Sequence, residues 1–178
     1  MQNGIRIAVI SGSLNPESLS RQMAQHARNA LQEAGADVDF IDLQEIELPM
    51  CDGDSAYAHP EVDKTRTRIK SAAGILIAAP VYNFYLNAAV KNLIELTGSA
   101  WEDKVVAFLN AAGGHSSYMS VMSIANSLML DFRCIIVPRF VYAVGSAFRD
   151  GAVADGKVAQ RIDQLAHELV RFASRLAT

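Results

Sequence analysis

The sequence predicts an α/β fold in three layers, a five-stranded parallel sheet of order 2-1-3-4-5 between two layers of helices. Short apolar runs alternate five times with stretches of helical spacing, the pattern of successive β–α units. The 178 residues, 51% hydrophobic and 20% charged, are enough to bury one substantial core. No repeat, low-complexity stretch or linker interrupts them, so residues 1–178 are expected to form a single domain.

Ile5–Ile10 is an apolar run of strand length, and Leu19–Gly35 follows with helical spacing and closes on glycine. Val38–Leu43 reads as the second strand. Residues 44–60 hold two prolines, an Asp-Gly pair and a histidine, and are expected to be a long loop. Glu61–Ala73 is an amphipathic helix, and Gly74–Ala79 a third strand stopped by Pro80. Ala88–Gly98 is helical, Lys104–Asn110 the fourth strand, Ser117–Asp131 a helix and Cys134–Val137 the fifth strand. Asp155–Leu176 is a last long helix. Five such units in this length fit a flavodoxin-like sandwich. In that arrangement a ligand binds where the strand order reverses, outside the carboxyl ends of the first and third strands. The loops to read are therefore 11–20, 80–87 and 111–117.

Bulk properties exclude several classes. The formal charge is −3 with both signs spread along the chain, which is no footprint for nucleic acid. No apolar run reaches the roughly 18–20 residues of a membrane span, and the start lacks the charged region and cleavage site of a leader. Cys51 and Cys134 lie far apart without a CxxC, which argues against a metal knuckle or disulfide framework and fits a reducing cytoplasm.

The first loop, SGSLNPESLS (11–20), ends a strand and opens a helix. Unpaired N–H groups and the positive end of the macrodipole gather there, so a phosphate is stabilised without a full cation. Ser11, Ser13, Ser18 and Ser20 add hydroxyls, and Gly12 permits close backbone approach. Neither GxxxxGK[ST] nor GxGxxG is present, so the residues alone leave a phosphate site and a capping turn as the alternatives. The second loop places Tyr82, Asn83, Phe84 and Tyr85 at the crevice mouth, suited to a flat heteroaromatic ligand or to covering the sheet edge. The third, NAAGGHSS (110–117), brings paired glycines and His115, a ligand contact, a proton donor or a surface histidine.

With helices and strands in order, SGSLNPESLS, PVYNFYLNAAVKNLIEL (80–96) and AAGGHSSY (111–118) resemble the NADPH-dependent FMN reductase family of flavodoxin-like proteins. The resemblance covers nearly the whole chain. It implies that Ser13, Leu14, Ser18 and Ser20, with Ser11 and Asn15 in the same turn, cradle the FMN phosphate. It implies further that Pro80, Val81, Tyr82, Asn83 and Phe84 border the isoalloxazine ring, with Ala112, Gly113, Gly114 and His115 at its other edge. The Val81-Tyr82 pair and the helix after the glycines are similar to the branch that reduces FMN for sulfonate monooxygenases.

The chain departs from the family pattern at Asn15, where arginine is frequent, and at Ser20, where asparagine is usual. The lost arginine removes a bidentate phosphate partner, and Arg21 stands one residue further on. The implied reaction passes hydride from NADPH or NADH to FMN N5 and then, through the same pocket, to a small-molecule acceptor: a quinone, free flavin, azo compound or metal oxyanion. Flavin carries that chemistry, so no side chain is expected as catalytic nucleophile or base, and no metal is expected. A flavodoxin-type electron carrier is disfavoured by the mild charge, and a non-catalytic flavin-binding module is the remaining alternative. A hydrolase lacks its G-x-S-x-G. The helices over 88–98 and 117–131 carry apolar residues on more than one side, which predicts a homodimer or homotetramer packed through them, or helices deeply buried in the monomer.

Overall fold

The computed structural model describes residues 4–177, so the two ends of the expected 1–178 domain lie outside the described residues. Along the chain run β1 (Arg6–Ser11), α1 (Leu19–Glu33), β2 (Asp37–Asp42), α2 (Pro60–Ser71), β3 (Gly74–Tyr82), β4 (Tyr85–Leu86), α3 (Ala88–Thr97) and β5 (Val105–Ala112). They are followed by α4 (Met122–Phe132), β6 (Ile135–Ile136), β7 (Val141–Val144), β8 (Phe148–Arg149), β9 (Ala152–Val153) and α5 (Gly156–Leu176). The main sheet is parallel in the order β2-β1-β3-β5-β6, with β7 also against β5. Taking β6 and β7 as one position, this is the expected flavodoxin-like order.

Alternation along each strand sends successive side chains to opposite faces. Ile7, Val9, Leu76, Ala78, Ala107 and Leu109 pack beneath α1 and α5, with Met23, Leu31, Ile162 and Leu169. Ala8, Ile10, Ile75, Ile77, Val106 and Phe108 pack on the other face, beneath Ile69 of α2, Val90 and Leu93 of α3 and Leu128 of α4. Both faces are covered, which is why these strands read as unbroken apolar runs.

Three expectations are corrected, and for α3 one of the two stated alternatives is met. The third strand does not stop at Pro80 but continues to Tyr82. Ala78 faces β1, where its carbonyl accepts from the Gly12 N–H (2.8 Å). Pro80 faces the same way two residues on, past the end of β1, so its missing N–H leaves no ladder bond unmade. The fifth strand, expected over Cys134–Val137, is two short pieces in series: Ile135–Ile136 beside Val105–Val106, and Val141–Val144 beside Leu109–Ala112. Pro138 and the left-handed Arg139 (φ 67°) separate them.

The helix expected over Ser117–Asp131 starts late. His115–Val121 is a 3-10 segment bent at Ser117, and α4 begins only at Met122. No side chain caps this start, and the two glycines and three serines nearby resist helix formation. Finally, the several-sided apolar character of α3 is satisfied within the monomer. Leu96 packs against Val62 and Ala56, with Leu48 and Cys51 beside them. Asn92 pins this segment, accepting from the Cys51 N–H (2.8 Å) and donating to the Pro49 carbonyl (2.9 Å). The long loop over 44–60 contains one 3-10 turn, Ser55–Ala58.

Tyr82 and Tyr85 pair across the two-residue turn Asn83–Phe84, both with positive φ (51° and 63°), as a type I′ hairpin requires. Asparagine tolerates this region; a ring-bearing side chain is strained there. Phe84 is 55% exposed, so little burial offsets the strain. Replacing Phe84 with glycine should stabilise the protein by roughly 1 kcal/mol in urea unfolding, and a destabilised variant would show that the phenyl ring contributes more than its backbone strain costs.

Candidate active site

The carboxyl ends of β1, β3, β5 and β7 surround a crevice of about 270 Å³. Its walls are Ser13, Asn15, Ser18, Leu19 and Ser20 from the first loop, Pro80–Tyr82 from the end of β3, Ala111–Gly113 from the end of β5, and Gly145 after β7. None of these side chains is charged.

The first wall is built by local hydrogen bonding. Ser18 caps α1, its hydroxyl accepting from the Arg21 N–H (3.3 Å) and sharing a 2.8 Å contact with the Ser20 hydroxyl. The Ser13 hydroxyl accepts from the Asn15 N–H (3.2 Å), and the Asn15 side-chain oxygen accepts from the Glu17 N–H (3.0 Å). The N–H groups of Ser13, Leu14, Ser18, Leu19 and Ser20 have no acceptor among the described residues. The macrodipole of a 15-residue helix reinforces them.

Gly12 is needed for a different reason from the one expected. A Cβ there would stand 2.4 Å from Val90 Cγ2 and 3.2 Å from the Ala78 carbonyl, so the close approach is to α3 and β3, inside the protein. Asn87, at the start of α3, donates through Nδ2 to the Gly12 carbonyl (2.6 Å), and its N–H donates to the Pro80 carbonyl (3.2 Å). One residue thus ties the first two loops together. In the third loop, the Tyr142 hydroxyl donates to the Gly114 carbonyl, and Tyr118 packs on Phe140 (4.7 Å between ring centres) and edge-on to Tyr142 (5.7 Å).

Nine of the expected contacts line this crevice: Ser13, Asn15, Ser18, Ser20, Pro80, Val81, Tyr82, Ala112 and Gly113. Six do not. Ser11 is fully buried at the end of β1 with an unpartnered hydroxyl. Leu14 points to a separate, more apolar crevice of about 500 Å³ formed with residues 43–50 and the start of α3. Asn83, Phe84, Gly114 and His115 are exposed beyond the walls. Three lining residues escaped the sequence reading: Leu19, Ala111 and Gly145. Gly145 went unnoticed with β7 itself, although Val-Tyr-Ala-Val before a glycine was a strand signal.

The larger crevice has Glu45 and Glu47 on its wall, so the smaller, uncharged one has the better chemistry for an anion. Neither cysteine lines either crevice, and burial pushes the Cys134 thiol up to about 11, which removes it as a nucleophile. Among the described residues no group of three His, Cys, Asp or Glu side chains is placed to hold a metal, and no helix is long and apolar enough to cross a membrane.

A family model for NADPH-dependent FMN reductases matches residues 5–149. The chain belongs to that family. It is accordingly an oxidoreductase with FMN and NAD(P)H as its cofactors, on a flavodoxin-like fold. It is 28% identical to an NADPH:quinone oxidoreductase of Arabidopsis thaliana, over 97% of this chain and 93% of that one. An oxidoreductase from Corynebacterium diphtheriae shares the fold with a TM-score of 0.80 at 20% identity, over 98% and 99% of the two chains. An archaeal flavodoxin does so at 0.68 and 13%, over 96% and 99%. The donor set of the crevice fits FMN. A neutral cluster of hydroxyls and unpaired N–H groups at a helix start suits a phosphate, and the apolar backbone-lined walls of Pro80–Val81 and Ala111–Gly113 suit a flat ring.

Proposed function

We propose that the crevice holds FMN with its phosphate among Ser13, Asn15, Ser18 and Ser20 and its ring between Pro80–Tyr82 and Ala112–Gly113. The observation that carries this is the uncharged serine wall, whose N–H groups lack acceptors among the described residues, beside a wall of apolar backbone. The chemistry that FMN supplies when bound is hydride uptake at N5 from NAD(P)H and delivery to a second acceptor. The protein positions and shields. Hydroxyls and N–H groups of the first loop fix the phosphate end, and Pro80 and Val81 keep water from one side of the ring. Tyr82, 55% exposed at the rim, offers a face against which the nicotinamide or the acceptor can stack. One open mouth serves both, which supports a ping-pong order.

A quinone is the acceptor we favour, supported by the likeness to the Arabidopsis NADPH:quinone oxidoreductase over nearly the full length of both chains. Free flavin, azo compounds and metal oxyanions are the competitors to test beside it. We propose a homodimer or homotetramer packed through α4, because Met122 and Met129, two turns apart on that helix, and Met119 in the 3-10 segment before it are exposed (45, 40 and 50%). The two unbridged cysteines fit a reducing cytoplasm.

The test is a titration of the protein with FMN, followed by NADPH under anaerobic conditions and then a quinone. Saturable binding, bleaching by NADPH and recovery of the oxidised spectrum with quinone are expected, with parallel double-reciprocal plots in steady state. Absence of FMN binding would reduce the serine turn to a helix cap.

A further inference from the structure

Arg21 lies in the first turn of α1, where a cation is opposed by the helix macrodipole. Its side chain nevertheless does not turn to the crevice, where an anion would compensate it. Nε donates to Asp42 Oδ2 (2.7 Å) and Nη2 to Asp42 Oδ1 (2.9 Å), a bidentate pair between side chains only 13% and 7% exposed. Nη2 also donates to Gln44 Oε1 (2.6 Å), and Nη1 donates to the Pro16 carbonyl (3.0 Å). Pro16 is in the middle of the serine loop, and Asp42 is the last residue of β2, its Oδ1 further held by the Gln44 N–H (3.1 Å). The guanidinium therefore joins the loop to the rigid end of a neighbouring strand.

We infer that Arg21 and Asp42 form a brace that holds the serine loop in its phosphate-binding shape, Arg21 acting as a positioning residue and not as a ligand of the phosphate. This rests on the reading of the crevice as the FMN site. A planar fork is required, because a lysine ammonium cannot reach both Asp42 oxygens, Gln44 and the Pro16 carbonyl at once. In the loop the crevice's Ser13 lies before Pro16 and its Ser18 after it, so a displaced carbonyl there displaces Ser13 relative to Ser18.

The experiment compares dissociation constants for FMN and for riboflavin, which lacks the phosphate, in the wild type, Arg21→Lys and Asp42→Asn. Both variants should weaken FMN binding on the order of tenfold or more, the scale that small displacements of a binding geometry carry. Riboflavin binding should change by less than about twofold, because the ring walls are untouched. FMN binding that is unchanged or tighter in Asp42→Asn would overturn the inference, since an arginine released from its partner would then be serving the phosphate directly. Parallel weakening of both flavins would overturn it as well, by showing that the pair supports the whole domain. A wild type that binds neither flavin would sink the reading of the crevice, whereas intact wild-type binding with unaffected variants would sink the brace alone.

Discussion

Replacing Asn15 with arginine should tighten FMN binding about tenfold or more while leaving riboflavin binding unchanged. Asn15 lines the crevice and is exposed, and among the described residues no cation stands on the crevice wall. Its present contribution is local: the side-chain oxygen accepts from the Glu17 N–H (3.0 Å). A guanidinium at this position would supply a charge-assisted, bidentate partner for a phosphate, and hydrogen bonds to charged groups contribute roughly 1.5–3 kcal/mol each way. Losing the turn contact costs less, about 1 kcal/mol or below. The gain should shrink as salt rises, since the new charge is near solvent. Equal tightening of riboflavin would place the phosphate elsewhere, and no change for FMN would say the same.

Asn87 should be the most sensitive position among the site's supports. Its Nδ2 satisfies the Gly12 carbonyl at 2.6 Å, and the side chain is only 6% exposed. Asn87→Ala leaves that buried carbonyl without its donor, which should cost about 2 kcal/mol of stability, or some 4–8 °C in the unfolding midpoint for a chain of this length. It also uncouples the serine loop from the β3 hairpin, so FMN and riboflavin should both weaken, unlike the response expected at Arg21.

Asn87→Asp carries a pH signature as well. A buried carboxylate facing a carbonyl oxygen has its pKa raised above the unfolded value of about 3.9. Its stability relative to the wild type is then fully present below that pH, where a protonated oxygen can donate to Gly12. It is lost as pH rises through the folded-state pKa. Urea unfolding of both proteins across this range should show the variant close to wild type in acid and several kcal/mol weaker, roughly 3 or more, at neutral pH. A difference that stays constant with pH would mean that residue 87 reaches water.

The period of the sequence and its turn chemistry determined the fold by themselves. Ile5–Ile10, Gly74–Ala79 and Lys104–Asn110 announce strands because strands covered on both faces are apolar throughout, and each was located within two or three residues of its observed bounds. α1 and α5 were equally legible, since Ser18 and Asp155 are local caps, the latter accepting from the Lys157 and Val158 N–H groups at 2.8 and 3.1 Å. The crevice walls followed from topology: once the strand order is known, loops 11–20, 80–87 and 111–117 must meet where that order reverses. The resemblance of three motifs in order then supplied the family, which the match over residues 5–149 shows.

Tertiary structure alone decided which groups serve whom. Arg21 finds Asp42 across 21 positions and Asn87 finds the Gly12 carbonyl across 75, pairings that no local spacing encodes. Gly12 proved to be a packing glycine against Val90, and Leu14 turned away from the crevice its neighbours line. The fifth strand broke at Pro138–Arg139, bringing the unexpected Gly145 to the wall. A helix's apolar faces say that they must be covered but not by what. For α3 the cover came from residues 48–56 of its own chain, while the methionines of α4 were left outward. Local patterns are set by backbone geometry over one or two turns, and partners by the three-dimensional meeting of segments far apart in the chain, which is where the specificity of this site resides.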